Sequence, residues 1–321
     1  MRNNSFDILK FLCAILVIFI HTPQAESFEH IIDPLQRCAV PIFFIISGYF
    51  TFGRTCLNKV LKKRIISILR IFCWAFALYI ASHVIHHKSY YVIYIIKPNI
   101  SSMFLGNNII PGEHLWYIHA YLYVLIIFWI ANKCNLYKLL LYATPILIAA
   151  GLYLGKYHET ITGSNNPLYY SRNFLFMGIP FFLIGTLIKK NETKINQHIS
   201  KNTAIIGTII FLITGIIEEY ALGLYDNTGD LYISNVLMAA AIVILFMKIN
   251  CKEENYISKV GKNDCLYIYI FHVLFINEIS LLMTKFGYEA LFQNIGIIII
   301  PITTIIFIKI LRKVQIIGKL I

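Results

Sequence analysis

Arg37-Cys38-Ala39-Val40-Pro41-Ile42-Phe43-Phe44-Ile45-Ile46-Ser47-Gly48-Tyr49-Phe50 is the stretch that decides how this chain folds. The run is apolar enough to begin a membrane crossing, yet it carries an Arg at its start, a Pro one turn in and a Ser-Gly pair near its end. A plain lipid anchor needs none of these. Gly48 and Ser47 let another helix approach closely, and an Arg near the membrane must face protein, water or headgroups. The stretch therefore reads as a helix packed into a polar site, with the helix before it as its first partner.

Working outward, the composition agrees. The 321 residues are 58% hydrophobic and only 14% charged, with a mean hydropathy of +0.69, whereas a soluble domain carries roughly a quarter charged residues. Repeated apolar runs of about twenty residues make the chain an all-α, polytopic integral membrane protein. The net charge of +12 collects in alternate loops, as the positive-inside rule requires, so it argues for topology and against nucleic acid as a partner. The seven Cys contain no Cys-x-x-Cys. They read as small packing residues with no disulfide framework. No cleavable signal is expected, because Asp7 and Lys10 interrupt the first apolar run.

About ten spans are expected in one domain over 1–321, at about 6–22, 35–52, 65–83, 114–131, 138–154, 173–188, 203–217, 231–247, 264–284 and 292–310. The basic loops around Arg54–Arg64, Lys133–Lys138, Lys189–Lys201 and Lys248–Lys262, and the Arg312–Lys319 tail, fall on one side. Both termini are then cytosolic, and the protein is expected as a multi-pass component of a bacterial cell membrane with the bilayer as its first partner.

Lys10 and His21 are the first candidates for chemistry. Eleven residues at ~100° each close to within about 20° of whole turns, so both lie on one helix face, about 16 Å apart along the axis. Asp7 is placed to neutralise Lys10. The pair reads either as a base with an anion contact, or as an interfacial His with a snorkelling Lys. Arg37 lies at a depth similar to His21. His114 and Trp116, in Glu113-His114-Leu115-Trp116-Tyr117, open the fourth span. His119 follows as an interfacial His. Arg172 opens the sixth span, Glu218 and Glu219 end the seventh, and His272 sits deep in the ninth, where an ionisable group is a site hypothesis by default. His83, His86 and His87 have a chelating spacing, but no third ligand is fixed, so no metal is expected. No phosphate loop or nucleotide fingerprint is present, and no bound cofactor is expected.

At these residues the chain resembles the acyltransferase-3 family of bacterial membrane proteins over nearly its whole length. Lys10-x10-His21 is similar to the family's basic-x10-His signature. Arg37 to Tyr49 is similar to its Arg-x-x-Val-Pro-x-Phe-Phe-x-x-Ser-Gly-Tyr segment, and His114-Leu115-Trp116-Tyr117 and the aromatic run ending in His272 also fit. Where the family often carries Arg-x-x-Arg at the third span, Arg64 is followed here by Ser67 and then Arg70. A second and closer resemblance is to the membrane half of vancomycin-resistance serine racemases, shared through the Arg37–Tyr49 stretch, His-Leu-Trp-Tyr, Ser171-Arg172-Asn173 and a glutamate ending the seventh span.

The first resemblance implies transfer of an acyl group, other than an aminoacyl group, from cytosolic acyl-CoA to a hydroxyl or amine acceptor on the outer side. His21, Arg37 and His114 would be the catalytic groups, and Lys10, Ser47, Tyr49, Trp116, Arg172, Glu218 and His272 the substrate-binding ones. The second implies L-serine uptake or binding beside a cytosolic racemase domain or protein. Arg37 or Arg172 would then take the carboxylate, and Glu218, Glu219 or Glu113 the ammonium.

Overall fold

The computed structural model describes residues 3–23, 26–87, 100–224, 227–249 and 251–314, without the side chains of 26–29, 86 and 87. Described residues form α-helices joined by short turns, with no strand among them. Apolar runs outside water satisfy their backbone groups internally only as helices or closed barrels, and the runs here have no period-2 alternation. The helices are α1 (Ser5–His21), α2 (Glu26–Gln36), α3 (Ala39–Thr51) and α4 (Leu57–His87). A helical stretch within 100–106, α5, follows. Then come α6 (Trp116–Lys133), α7 (Tyr137–Leu154), α8 (His158–Thr162), α9 (Ile179–Lys190), α10 (Glu192–His198), α11 (Lys201–Leu222), α12 (Ile233–Ile249), α13 (Tyr256–Asn263), α14 (Cys265–Lys285) and α15 (Glu289–Lys313).

Among the described residues seven stretches are long and apolar enough to cross a membrane: His30–Thr51, Leu57–Ile85, Glu113–Lys133, Tyr137–Leu154, Lys201–Leu222, Cys265–Lys285 and Glu289–Lys313. Phe174–Lys190 with Glu192–His198 makes an eighth if that bent pair is one span. The other two expected spans are the 17-residue helices α1 and α12. At 1.5 Å per residue each is about 26 Å long, a turn short of the ~20 residues a full crossing takes. The fold is thus a polytopic helical membrane protein, with seven or eight crossings by length and composition. All seven cysteines are free. The Tyr90-Tyr91 and Pro98 loop, Asp226 and Lys319 lie outside the described residues.

The chain divides into two compact units. The first takes 1–46, 191–225 and 232–320, the second 47–190 and 226–231. In the first, α1 packs against α12, α13 and α14, while α11 lies on α12 and α2. Two glycines permit the close approaches. A Cβ on Gly261 would lie 2.8 Å from the Asp7 carbonyl carbon, which presses α13 onto the start of α1, and a Cβ on Gly215 would lie 2.9 Å from Pro34. In the second unit, α4 packs on α6, and α7 on α9. A Cβ on Gly48 would lie 2.8 Å from the Phe182 carbonyl carbon, so the Ser-Gly pair is a backbone-to-backbone contact between α3 and α9, as its small residues implied.

Between Ser171 and α9 the backbone makes a π-helical turn, Phe174–Gly178. Asn173 caps it: its Oδ1 accepts from the Leu175 and Phe176 amides at 2.9 and 3.0 Å, and its Nδ2 donates to the Tyr169 and Tyr170 carbonyls at 3.0 Å. Such turns recur at functional sites.

Candidate functional site

In the first unit, α1 carries both ends of the expected polar face. Lys10 Nζ pairs with Asp7 Oδ1 at 2.6 Å, and Asp7 is buried. The Lys10 carbonyl accepts a weak bond from Cys265 Sγ at 3.2 Å, which ties α1 to α14. At the other end His21 is exposed, and Thr22 closes the helix by bonding Ile18 O at 2.8 Å. The His21 ring lies 5.3 Å from the ring of His272, tilted by 47°.

His272 is fully buried. Its Nδ1 faces the Tyr269 carbonyl at 2.8 Å and the Ile268 carbonyl at 3.2 Å. Carbonyl oxygens only accept, so Nδ1 carries the proton and donates to them. In a neutral ring the lone pair is then on Nε2. The α14 backbone thereby fixes both the tautomer and the orientation of this imidazole, which is how a base is held ready. The deep His and the α1 His are one constellation.

Arg37 lies in the first unit under different control. Its Nε donates to Asp33 Oδ1 at 2.7 Å, and Asp33, itself buried, accepts from the Tyr232 hydroxyl at 2.6 Å. The i, i+4 spacing of Asp33 and Arg37 puts them on one face. Nearby on α11, Glu219 is buried and pairs with His30 Nδ1 at 2.9 Å. Glu218 accepts from the Ile233 and Ser234 amides at 2.9 and 3.2 Å, so it caps the N-terminus of α12, where a negative charge is favoured.

The second unit holds the remaining candidates. Arg172 forms a two-pronged pair with Asp230, Nε to Oδ2 and Nη2 to Oδ1, the latter at 2.8 Å. Its guanidinium stands 5.8 Å over the Trp116 ring. His114 is buried on the turn before α6, edge-on to Tyr79 at 4.5 Å. Gly112 (φ +99°) makes the bend into that turn with Tyr79 packed against it. Tyr49 is buried, with Lys189 Nζ 4.9 Å over its ring. The Ser47 carbonyl accepts from Thr51 Oγ1 at 2.6 Å, and that hydroxyl accepts from Arg64 Nη1 at 2.6 Å.

His119 belongs to a structural lock. Asn107, fully buried at a positive φ of 57°, accepts the Phe174 amide on Oδ1 at 2.8 Å and donates from Nδ2 to His119 Nδ1 at 2.9 Å. The His119 ring stacks on Phe72 at 4.8 Å. This lock joins the loop before α6 to the π-helical turn. Among the described residues no group of three or more His, Cys, Asp or Glu could hold a metal ion; the side chains of His86 and His87 lie outside them.

So the structure joins His21 to His272, links Lys10 to Asp7, and gives Arg37, Arg172 and Glu218 structural duties in ion pairs or a cap. Sequence reasoning passed over Asp33, His30, Tyr232 and Asn107. Only Asp33 had a local signal, its i, i+4 spacing from Arg37.

No solved structure matches the chain. Two proteins of Enterococcus faecalis named amino-acid racemase are similar to it. One is 28% identical over 238 residues, 67% of this chain and 32% of the relative. The other is 25% identical over 299 residues, 86% of this chain and 41% of the relative. The chain therefore spans less than half the length of either. The acyltransferase domain family, Acyl_transf_3, matches residues 3–311. With that match over nearly its full length, laid on a helical bundle that seats the basic-x10-His pair on one helix, the chain belongs to the acyltransferase-3 family.

Proposed function

We propose that the protein moves an acyl group from cytosolic acyl-CoA to a hydroxyl or amine acceptor at the outer side of a bacterial cell membrane. The observation that carries this reading is the His21–His272 pair, with the His272 tautomer set by two backbone carbonyls. A base within reach of the acceptor takes its proton as the acceptor oxygen or nitrogen attacks the thioester carbonyl. The C–S bond breaks, the new ester or amide bond forms, and the proton passes to the departing CoA thiolate. Exposed at the helix end, His21 can meet the acceptor, while His272 holds it from behind. Lys10, on the same face of α1 toward its other end, is the contact for the anionic end of the donor. Neither metal nor bound cofactor is required.

The test is acyl-CoA turnover in the purified full chain. His21→Ala alters an exposed position, so its melting temperature should stay at the wild-type value. Turnover should fall at least about a hundredfold, the usual scale of a lost general base. A variant that keeps wild-type turnover refutes the assignment.

A second reading, L-serine uptake or binding for a racemase, is favoured by the names of the two relatives. It predicts that L-serine raises the melting temperature while acyl-CoA does not.

A further inference from the structure

Among the described residues of the first unit several buried polar atoms have no hydrogen-bond partner, Ser234 Oγ, Thr304 Oγ1 and both polar atoms of the Asn235 carboxamide among them. Asn235, in the first turn of α12, is fully buried, and neither its Oδ1 nor its Nδ2 has a hydrogen-bond partner. A carboxamide left unpaired on both its donor and its acceptor in a protein interior is a net cost to the fold. A leucine, with the same branching and number of side-chain heavy atoms, would avoid that cost, and buried positions further along α12, Met238, Ala239 and Ile242, are apolar.

The depth of Asn235 follows from one contact and the rise of α12. Ser5 Oγ donates to the Phe246 carbonyl at one end of the α1–α12 pair. Asn235 precedes Phe246 on the same helix, where Cys38 Sγ lies 3.8 Å from its carbonyl. By the helical rise it is about 16 Å from the Ser5 end, between Lys10 and His21. A donor that reaches His21 from the Lys10 end must pass this depth.

We propose that the Asn235 carboxamide hydrogen-bonds an amide of the pantetheine arm of acyl-CoA, midway between Lys10 and His21. An amide arm offers one N–H and one C=O per peptide-like unit, the complement of the donor and acceptor that Asn235 presents. This rests on the acyl-transfer reading above. Asn235 gives up stability of the empty bundle for a contact made only when the donor is bound.

The experiment compares wild type, Asn235→Leu and Asn235→Gln as full chains in detergent, with acetyl-CoA as the probe. Two quantities are read: the melting temperature without ligand, and the acetyl-CoA concentration that gives half the maximal thermal shift. For Asn235→Leu the proposal expects a melting temperature at or above wild type and acetyl-CoA binding weakened about tenfold, the worth of one lost hydrogen bond. Asn235→Gln, which keeps the carboxamide, should bind more tightly than the Leu variant. If Asn235→Leu does not fold, the same ordering is read from Asn235→Ala against Asn235→Gln. Unchanged acetyl-CoA binding in the Leu or Ala variant overturns the proposal and leaves Asn235 a site for buried water. No acetyl-CoA shift in the wild type overturns the acyl-CoA reading itself, and the proposal with it. The two failures are told apart by the wild-type arm alone.

Discussion

Gly48→Ala is the sharpest test of the close approach at the Ser47-Gly48 pair. The added Cβ would stand 2.8 Å from the Phe182 carbonyl carbon and 3.2 Å from its Cα. Carbon atoms rest about 3.5–4.0 Å apart and the Phe182 carbonyl oxygen lies nearer still, so the two backbones must separate by more than about 1 Å. The obstructing atoms are backbone and cannot rotate aside. Such overpacking costs up to about 3 kcal/mol, offset by about 1 kcal/mol because Ala favours the helix over Gly. The net loss of about 2 kcal/mol should lower the melting temperature by roughly 4–8 °C, taking 2–4 °C per kcal/mol for a large chain. Gly207→Ala is the internal control. It is also helical, but its nearest neighbour is Phe211 Cε2 at 3.9 Å, so only the propensity term applies and the variant should be about 1 kcal/mol more stable. Thermal unfolding in detergent reads both. Equal melting temperatures for the two variants would refute the close approach at Gly48.

Two further perturbations probe the second unit. Arg172→Lys cannot reproduce the two-pronged contact with Asp230 and should cost about 1–3 kcal/mol; a double-mutant cycle with Asp230→Asn that comes out additive would show that the pair is not coupled. Asn107→Ala strands the Phe174 amide and His119 Nδ1 together, so it should destabilise the fold by about 2 kcal/mol; a melting temperature equal to wild type would remove Asn107 from the lock between the loop and the π-helical turn.

The membrane class was legible because apolar runs near twenty residues have few other uses. The Lys10–His21 face and the Asp7–Lys10 pair were legible because helical spacing is local and regular. Arg37 and Asp33 stand at a readable i, i+4 spacing, yet Pro34 lies between them and the helix breaks at Arg37-Cys38. The break hides their shared face from a periodicity argument. His21 and His272 meet only through the crossing of α1 and α14, which no local pattern encodes. Arg172 and Asp230 stand 58 residues apart in the chain, so no local spacing announces their pairing. Glu218 looked like a substrate contact from its place at a helix end, and that same place makes it the cap of the next helix.

These pairings bear on the choice between acyl transfer and a zwitterion site. A site for L-serine must offer a cation to the carboxylate and an anion to the ammonium. Of the cations that reading would use, Arg37 is already held by Asp33 and Arg172 by Asp230, with the acid buried in each pair. Drawing off either of these cations leaves a buried carboxylate uncompensated, which costs several kcal/mol, and a single bound serine can repay that only if its ammonium reaches the stranded acid. An acyl acceptor makes no such demand. It needs a base near a helix end, and the His21–His272 pair offers one without breaking the Arg37–Asp33 or Arg172–Asp230 pair. The charge arrangement therefore favours acyl transfer, and the two readings part cleanly at Arg37: Arg37→Gln should abolish an L-serine thermal shift if that Arg binds the carboxylate, and should leave acetyl-CoA binding intact if its work is to neutralise Asp33.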